Sequence, residues 1–190
     1  MIDFVTVKLS GKMIWQQFHT CNSNYITTRC KGRCCESNKG IKVVVHPNEA
    51  ERIKAYGVML EDGYIKPDTR NLCPFKQDNG FCRIHNDKPL GCKASPFSVN
   101  DKGLIIIRNR YRLLCCYKDL PKVPAFEAHR WSLQQLFGIN ETDNITEQAK
   151  SHQDIIIAKM SYYNYTILLD NHIKRNKMNG EIKYGTVPMF

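Results

Sequence analysis

No cysteine follows residue 116 and none precedes residue 21, yet the chain holds nine of them in 190 residues. Whatever needs sulfur is confined to the first two-thirds of the chain, and the last third does without it. The opening "MIDFVTVKLSGKMIW" lacks a basic leader, an apolar core and a small-residue cleavage site, so it is no secretory signal. No uninterrupted apolar run approaches the ~20 residues needed to cross a bilayer. The most apolar stretch, Ile155 to Leu169, is broken by Lys159 and Asn164. A cytoplasmic chain without a membrane partner is expected, which makes the sequons at Asn140, Asn144 and Asn164 coincidental. In that compartment, cysteines in number point to metal rather than to a disulfide framework.

Other absences narrow the chemistry. Nothing resembles a catalytic triad, a phosphate loop, a Rossmann fingerprint or a helical HExxH, which argues against hydrolase and nucleotide-dependent readings. No CxxC knuckle occurs, so this is not a standard zinc finger. There is no internal repeat and no low-complexity tract.

Hydrophobic residues make up 42 % of the chain, enough for a real core. The length suits one domain, or one domain with an appendage. Residues 2–8, "IDFVTVK", read as a strand, as do "IKVVV" and "LIIIRNRY". "HPNEAERIKAYG" reads as a short helix, with Pro47 at its first position, Glu49 in its first turn and Gly57 as its stop. Residues 61–103 are punctuated by glycine and proline. After "PKVP" the chain reads as helical, roughly 125–137 and 145–177, the second helix opening on a capping-box-like pair, Asn144 and Glu147. Ile156, Met160, Tyr163 and Ile167 recur at helical spacing, although "YYNYTILL" is rich in strand formers and a break near Ser161 is compatible with it. The expected fold class is α+β: a small cysteine-rich, metal-organised core over residues 1–118, with short strands and a short helix. A helical C-terminal extension, residues 119–190, packs on it.

The cysteines fall in clusters. Cys30-x3-Cys34-Cys35 has Gly32 inside it, and adjacent cysteines can both face a metal where the backbone turns sharply. Cys73, Cys82 and Cys92 follow at spacings of about ten, beside Pro74, Pro89 and Pro96, whose rigid turns preorganise the thiols. Cys115 and Cys116 form the last pair, in "RLLCCY", which also reads as a buried strand. Cys21 stands apart and reads as a spare thiol.

"CKGRCC", "VVVHPNEAERIKAYG" and "CPFKQDNGFCRIHNDKPLGCKASPF" together resemble the YkgJ-type cysteine-cluster family, described as zinc- or iron-chelating. The likeness covers about residues 28–118. It implies ligation by Cys30, Cys34, Cys35, Cys73, Cys82 and Cys92, and Cys115 or Cys116 matches a later cysteine of the family. This chain departs from the pattern at His85, where the family has Tyr, and at Lys88 and Lys93, where it has Arg. It departs again at Thr27, where members often carry one more cysteine. His85 is therefore read as a packing or hydrogen-bonding residue.

Zinc would use these sulfurs in closed tetrahedral sites. A Cys–Pro pair such as Cys73–Pro74 also occurs in iron–sulfur ligand loops, and resemblance to the flagellin lysine methylases implies such a cluster. Thiolates suit both, so the cofactor is zinc or an iron–sulfur cluster. The leading reading is a metal-chelating protein whose metal organises the fold and whose surface can take a protein partner. The second is an iron–sulfur redox or group-transfer enzyme. The third is a nucleic-acid-binding zinc protein. Residues 1–116 hold 19 Lys+Arg against 10 Asp+Glu, while residues 117–190 hold 9 against 8. That excess fits nucleic acid, with Arg108, Arg110 and Arg112 on one strand face. It equally fits compensation of thiolate charge by cations such as Lys31, Arg33 and Lys93.

Overall fold

A computed structural model describes residues 3–36 and 43–178. Its centre is a four-stranded sheet. Strand β1, Phe4–Ser10, turns Val7 and Leu9 inward and Lys8 outward, the period-two alternation of a half-buried strand. β2, Phe97–Val99, and β3, Leu104–Ile107, form a hairpin with Phe97 opposite Ile107. β1 lies parallel to β3, with Leu9 opposite Ile105. On its other side β1 runs antiparallel to β4, Ile155–Ser161, in register from Phe4 opposite Ser161 to Ser10 opposite Ile155.

The helices surround this sheet. α1, Pro47–Lys54, starts as its sequence suggests, with the His46 side chain accepting from the Asn48 N–H. α2 is the single turn Leu90–Lys93. α3, Arg130–Phe137, and α4, Ile139–Lys150, precede β4, and α5, Tyr162–Met178, follows it. The α+β class holds, with a helical C-terminal part. Among the described residues, no helix is long and apolar enough to cross a membrane.

Several local expectations are corrected. Residues 145–177 are not one helical run: α4 ends at Lys150, and 155–161 is a strand. Ile156 and Met160 are four apart, which satisfies one helical turn and an even strand spacing equally well. Asn144 lies inside α4, bonded to the side chains of Glu141 and Gln148, and caps nothing. The helical stretch 125–137 breaks at His129 into Ala125–Ala128 and α3. In "IKVVV", Ile41 and Lys42 lie outside the described residues, and Val44 makes one isolated bridge to Tyr64. β3 stops at Ile107, and Asn109–Leu113 is a tight 3-10 helix. Arg108, Arg110 and Arg112 therefore do not share a strand face.

The core has two parts. The larger packs Leu9, Phe18, Phe97, Ile105, Phe126, Leu133, Ile145, Ile156 and Ile167, drawing on both sides of residue 118. The smaller has Val45, Ile53, Ile65, Phe75 and Ile84, with Cys73 and Cys82 packed against it. Five apolar side chains make a weak core by themselves, since small clusters bury too little surface to offset chain entropy. The cysteines lie where the two parts meet.

Candidate metal centre

The first thiol loop is set by local backbone chemistry. The Asn22 side chain accepts from the Tyr25 N–H at 2.8 Å and starts a short helix. It widens into a π-turn over Ile26–Cys30, closed by the Lys31 N–H on the Ile26 carbonyl at 2.8 Å. Lys31 and Gly32 are both left-handed, with φ of 50° and 65°. Two such residues in succession reverse the chain, so Cys30 and the Cys34–Cys35 pair face the same space. The sulfurs of Cys34 and Cys35 are 3.9 Å apart.

The second loop is held by hydrogen bonds to sulfur. The backbone N–H groups of Phe75 and Lys76 donate to the Cys73 sulfur, and that of Ile84 to the Cys82 sulfur. In the first loop Arg33 N–H does the same for Cys30. Such donors favour thiolate, the form that binds metal. Cys92 rides on α2, whose first N–H, at Leu90, is met by the buried Glu49 carboxylate of α1 at 3.0 Å. Gly32 and Gly80 press the two loops together backbone to backbone. The Lys76–Glu36 ion pair at 2.8 Å joins them again.

Eight of the nine cysteines, all but Cys115, line one cavity of about 750 Å³ between the two core clusters. Cys30, Cys34, Cys35, Cys73, Cys82 and Cys92 are thus gathered despite their separation in sequence. Cys115 sits just behind, hydrogen-bonded to Cys30 and to the Tyr25 hydroxyl. Cys116 is on the wall, and Cys21 is there as well, not off to one side. All nine are free thiols. Among the described residues, no three His, Cys, Asp or Glu side chains close on one point as a ready metal site. The sulfurs stand around the space instead.

Burial dominates their titration. It pushes Cys92 up to about 12 and Cys30 up to about 11, with neighbouring thiols adding to the effect. Cys35 is raised by its hydrogen bond with Cys34 first, then by the charge of Cys34 and by burial. Lys88 opposes these shifts at Cys21, Cys82 and Cys92, with Arg83 also acting on Cys82 and Arg108 on Cys92. Lys31 borders a different small hollow with Arg70 and Asp78, and Arg33 contributes its backbone N–H. Arg108 points to the cavity, bonded to Ser95 Oγ at 2.6 Å and to the Tyr111 hydroxyl at 2.9 Å.

His85 packs on Trp131 with ring centroids 5.1 Å apart, and burial lowers its pKa. Lys88 also meets this ring, its ammonium 4.6 Å from the Trp131 ring centroid. The far wall holds His129, whose buried Nε2 has no hydrogen-bond partner among the described residues and whose pKa burial lowers to about 4. Tyr25, His129 and Trp131 carry no signal in sequence, because they reach the site only through tertiary packing, and Glu49 is legible only as part of a helix start. Lys88 had one, the Arg it replaces between the second and third cysteines. As a donor set, soft thiols with N–H groups already on three sulfurs fit zinc or iron and suit no hard cation.

Neither the curated proteins nor the solved structures compared with this chain include a match. Residues 26–111 match the model of the CxxCxxCC family, described as "Putative zinc- or iron-chelating domain". That span takes in both thiol loops, α1, α2 and the Lys88–Arg108 wall. Over these residues, a little under half of the chain, the sequence is similar to the CxxCxxCC cysteine-cluster family.

Proposed function

We propose that the cavity is a thiolate metal centre whose metal joins the two halves of the core. Its ligands are drawn from Cys30, Cys34, Cys35, Cys73, Cys82, Cys92, Cys115 and Cys116. One observation carries this reading: backbone N–H groups already donate to the sulfurs of Cys30, Cys73 and Cys82, on two loops that face one cavity. Such donors stabilise negative sulfur. Bound metal would supply cross-linking of the loops if it is zinc, and electron storage as well if it is an iron–sulfur cluster. The small Phe75 cluster needs such a link most.

A second reading, a redox or group-transfer enzyme, is favoured by the cavity's other wall. Lys88, Arg108, His129 and Trp131 border space beside the sulfurs, within the size range of small-molecule sites. The nucleic-acid reading gains no such support, since Arg108 is engaged with Ser95 and Tyr111. Purification without oxygen, followed by a visible spectrum with metal and sulfide analysis, tests the proposal. Colourless protein with stoichiometric zinc supports the structural reading, and brown protein with iron and sulfide in about equal amount supports the second. Protein that folds and holds no metal overturns both.

A further inference from the structure

We infer that the outer edge of β4 is a pairing surface for a second copy of this chain, closed in the single chain by three side chains of α4, Glu141, Asn144 and Gln148. The inference goes beyond the metal-centre reading and does not depend on it.

β4 ends the four-stranded sheet. β1 lies on one side of it, and among the described residues no strand lies on the other. An edge of seven residues offers its outward N–H and C=O groups to any strand that reaches it. Here α4 meets them instead. The Ile157 N–H donates to Gln148 Oε1 at 3.0 Å, and Gln148 Nε2 donates to the Ile157 carbonyl at 2.7 Å. One side-chain amide thus makes both bonds that an opposite residue makes in an antiparallel ladder. Two residues on, the Lys159 N–H donates to Glu141 Oε1 at 2.8 Å. Asn144 joins the two, donating to Glu141 Oε1 at 3.0 Å and accepting from Gln148 Nε2 at 3.1 Å. Spaced i, i+3 and i+7, the three lie on one face of α4. Thr142, Ile145, Thr146 and Ala149 are buried and already hold that helix to the core, so the polar stripe serves the strand edge.

The edge is complementary to itself. Two β4 strands paired antiparallel about a twofold axis at Ile157 set Ile157 against Ile157 and Ile155 against Lys159, so the two lysines stay apart. Ile155, Ile157 and Lys159 share the exposed face of the strand. Ile155 is 44 % exposed and Ile157 is 51 % exposed, and this pairing draws both out of water. Gln148 and Glu141 occupy the backbone groups on which it depends.

The test uses the full chain, purified without oxygen so that no disulfide links two copies. Sedimentation equilibrium and amide exchange are compared for the wild type, Gln148→Ala, and Gln148→Ala combined with Ile155→Lys. The wild type should be a monomer with a protected Ile157 amide. Gln148→Ala frees both backbone groups of Ile157 and should dimerise with a dissociation constant at least ~10-fold below that of the wild type. Its Ile157 amide should exchange rapidly in dilute protein and regain protection as concentration rises, which a loosened helix alone does not produce. Ile155→Lys sets a cation against Lys159 of the second copy and should restore the monomer. Glu141→Ala, which frees the Lys159 N–H, takes the place of Gln148→Ala if that variant fails to fold. A folded variant that stays monomeric at every concentration would overturn the inference. So would dimers that Ile155→Lys leaves intact, or a wild-type monomer whose Ile157 amide exchanges as fast as an unbonded one.

Discussion

Gly32 and Gly80 meet so closely that a Cβ on Gly80 would lie 2.7 Å from the carbonyl carbon of Lys31, and one on Gly32 would overlap the Gly80 carbonyl oxygen. Both residues are left-handed, with φ of 65° and 89°. Alanine at either position therefore meets backbone strain and a backbone wedge together, costing on the order of 2–4 kcal/mol. Gly32→Ala and Gly80→Ala should each lower the melting temperature and the metal retained per chain. Gly57→Ala is the control. Its φ is 79° but its Cβ would meet open space, so it should lower stability by about 1 kcal/mol and leave metal content unchanged.

Metal removal should act unevenly. A structural metal can contribute ~10–16 kcal/mol, as much as a whole domain's stability. After chelation, or in Cys82→Ser, amide exchange should rise across residues 20–35 and 43–92. The sheet amides of Leu9, Ile105 and Ile156 should keep more protection, because the larger core holds them. Unchanged exchange after verified metal loss would refute the linkage.

Glu49 offers a test of how Cys92 is positioned. Its carboxylate meets both the Leu90 N–H and Arg52, each at 3.0 Å. Glu49→Ala leaves a buried N–H without a partner and should cost about 1–3 kcal/mol. It should also speed alkylation of Cys92 more than that of Cys73, which is held by Phe75 and Lys76.

His129 gives a pH dependence. Burial lowers its pKa from 6.5 to about 4, so between those values the unfolded chain binds a proton that the folded chain does not. Stability should therefore rise with pH across about 4 to 6.5, and be lost as pH falls through that window. The ring sits edge-on to Phe18 and Phe97. His129→Leu should flatten the melting temperature between pH 6.5 and 4 compared with the wild type. An identical acid slope in that variant would assign the loss to other groups.

What was legible in sequence was the local part. Val7 and Leu9 declare a strand by alternation, Pro47 and Glu49 declare a helix start, and the spacing of the thiols from Cys30 to Cys92 carries the likeness to the cysteine-cluster family. What was not legible depends on distant pairing. Ile156 and Met160 fit either period until β4 is seen against β1. Cys21 reads as spare until Phe18 pairs with Val123, more than a hundred residues away. Arg108 and Arg112 read as a stripe only while the chain stays extended, and the turn after Ile107 ends that. Lys88 lies between Cys82 and Cys92 in sequence, but its action on Cys21 depends on the fold.

The register of β1 against β4 fixes an order of events during synthesis. Every thiol, from Cys21 to Cys116, is synthesised before Ile155–Ser161. Until then β1 can find only its short parallel contact with β3, and contacts so distant in sequence form late. The nascent chain thus holds all nine thiols while the closing strand is still unwritten. Capture of metal, or reduction by the surrounding medium, has to protect them during that interval.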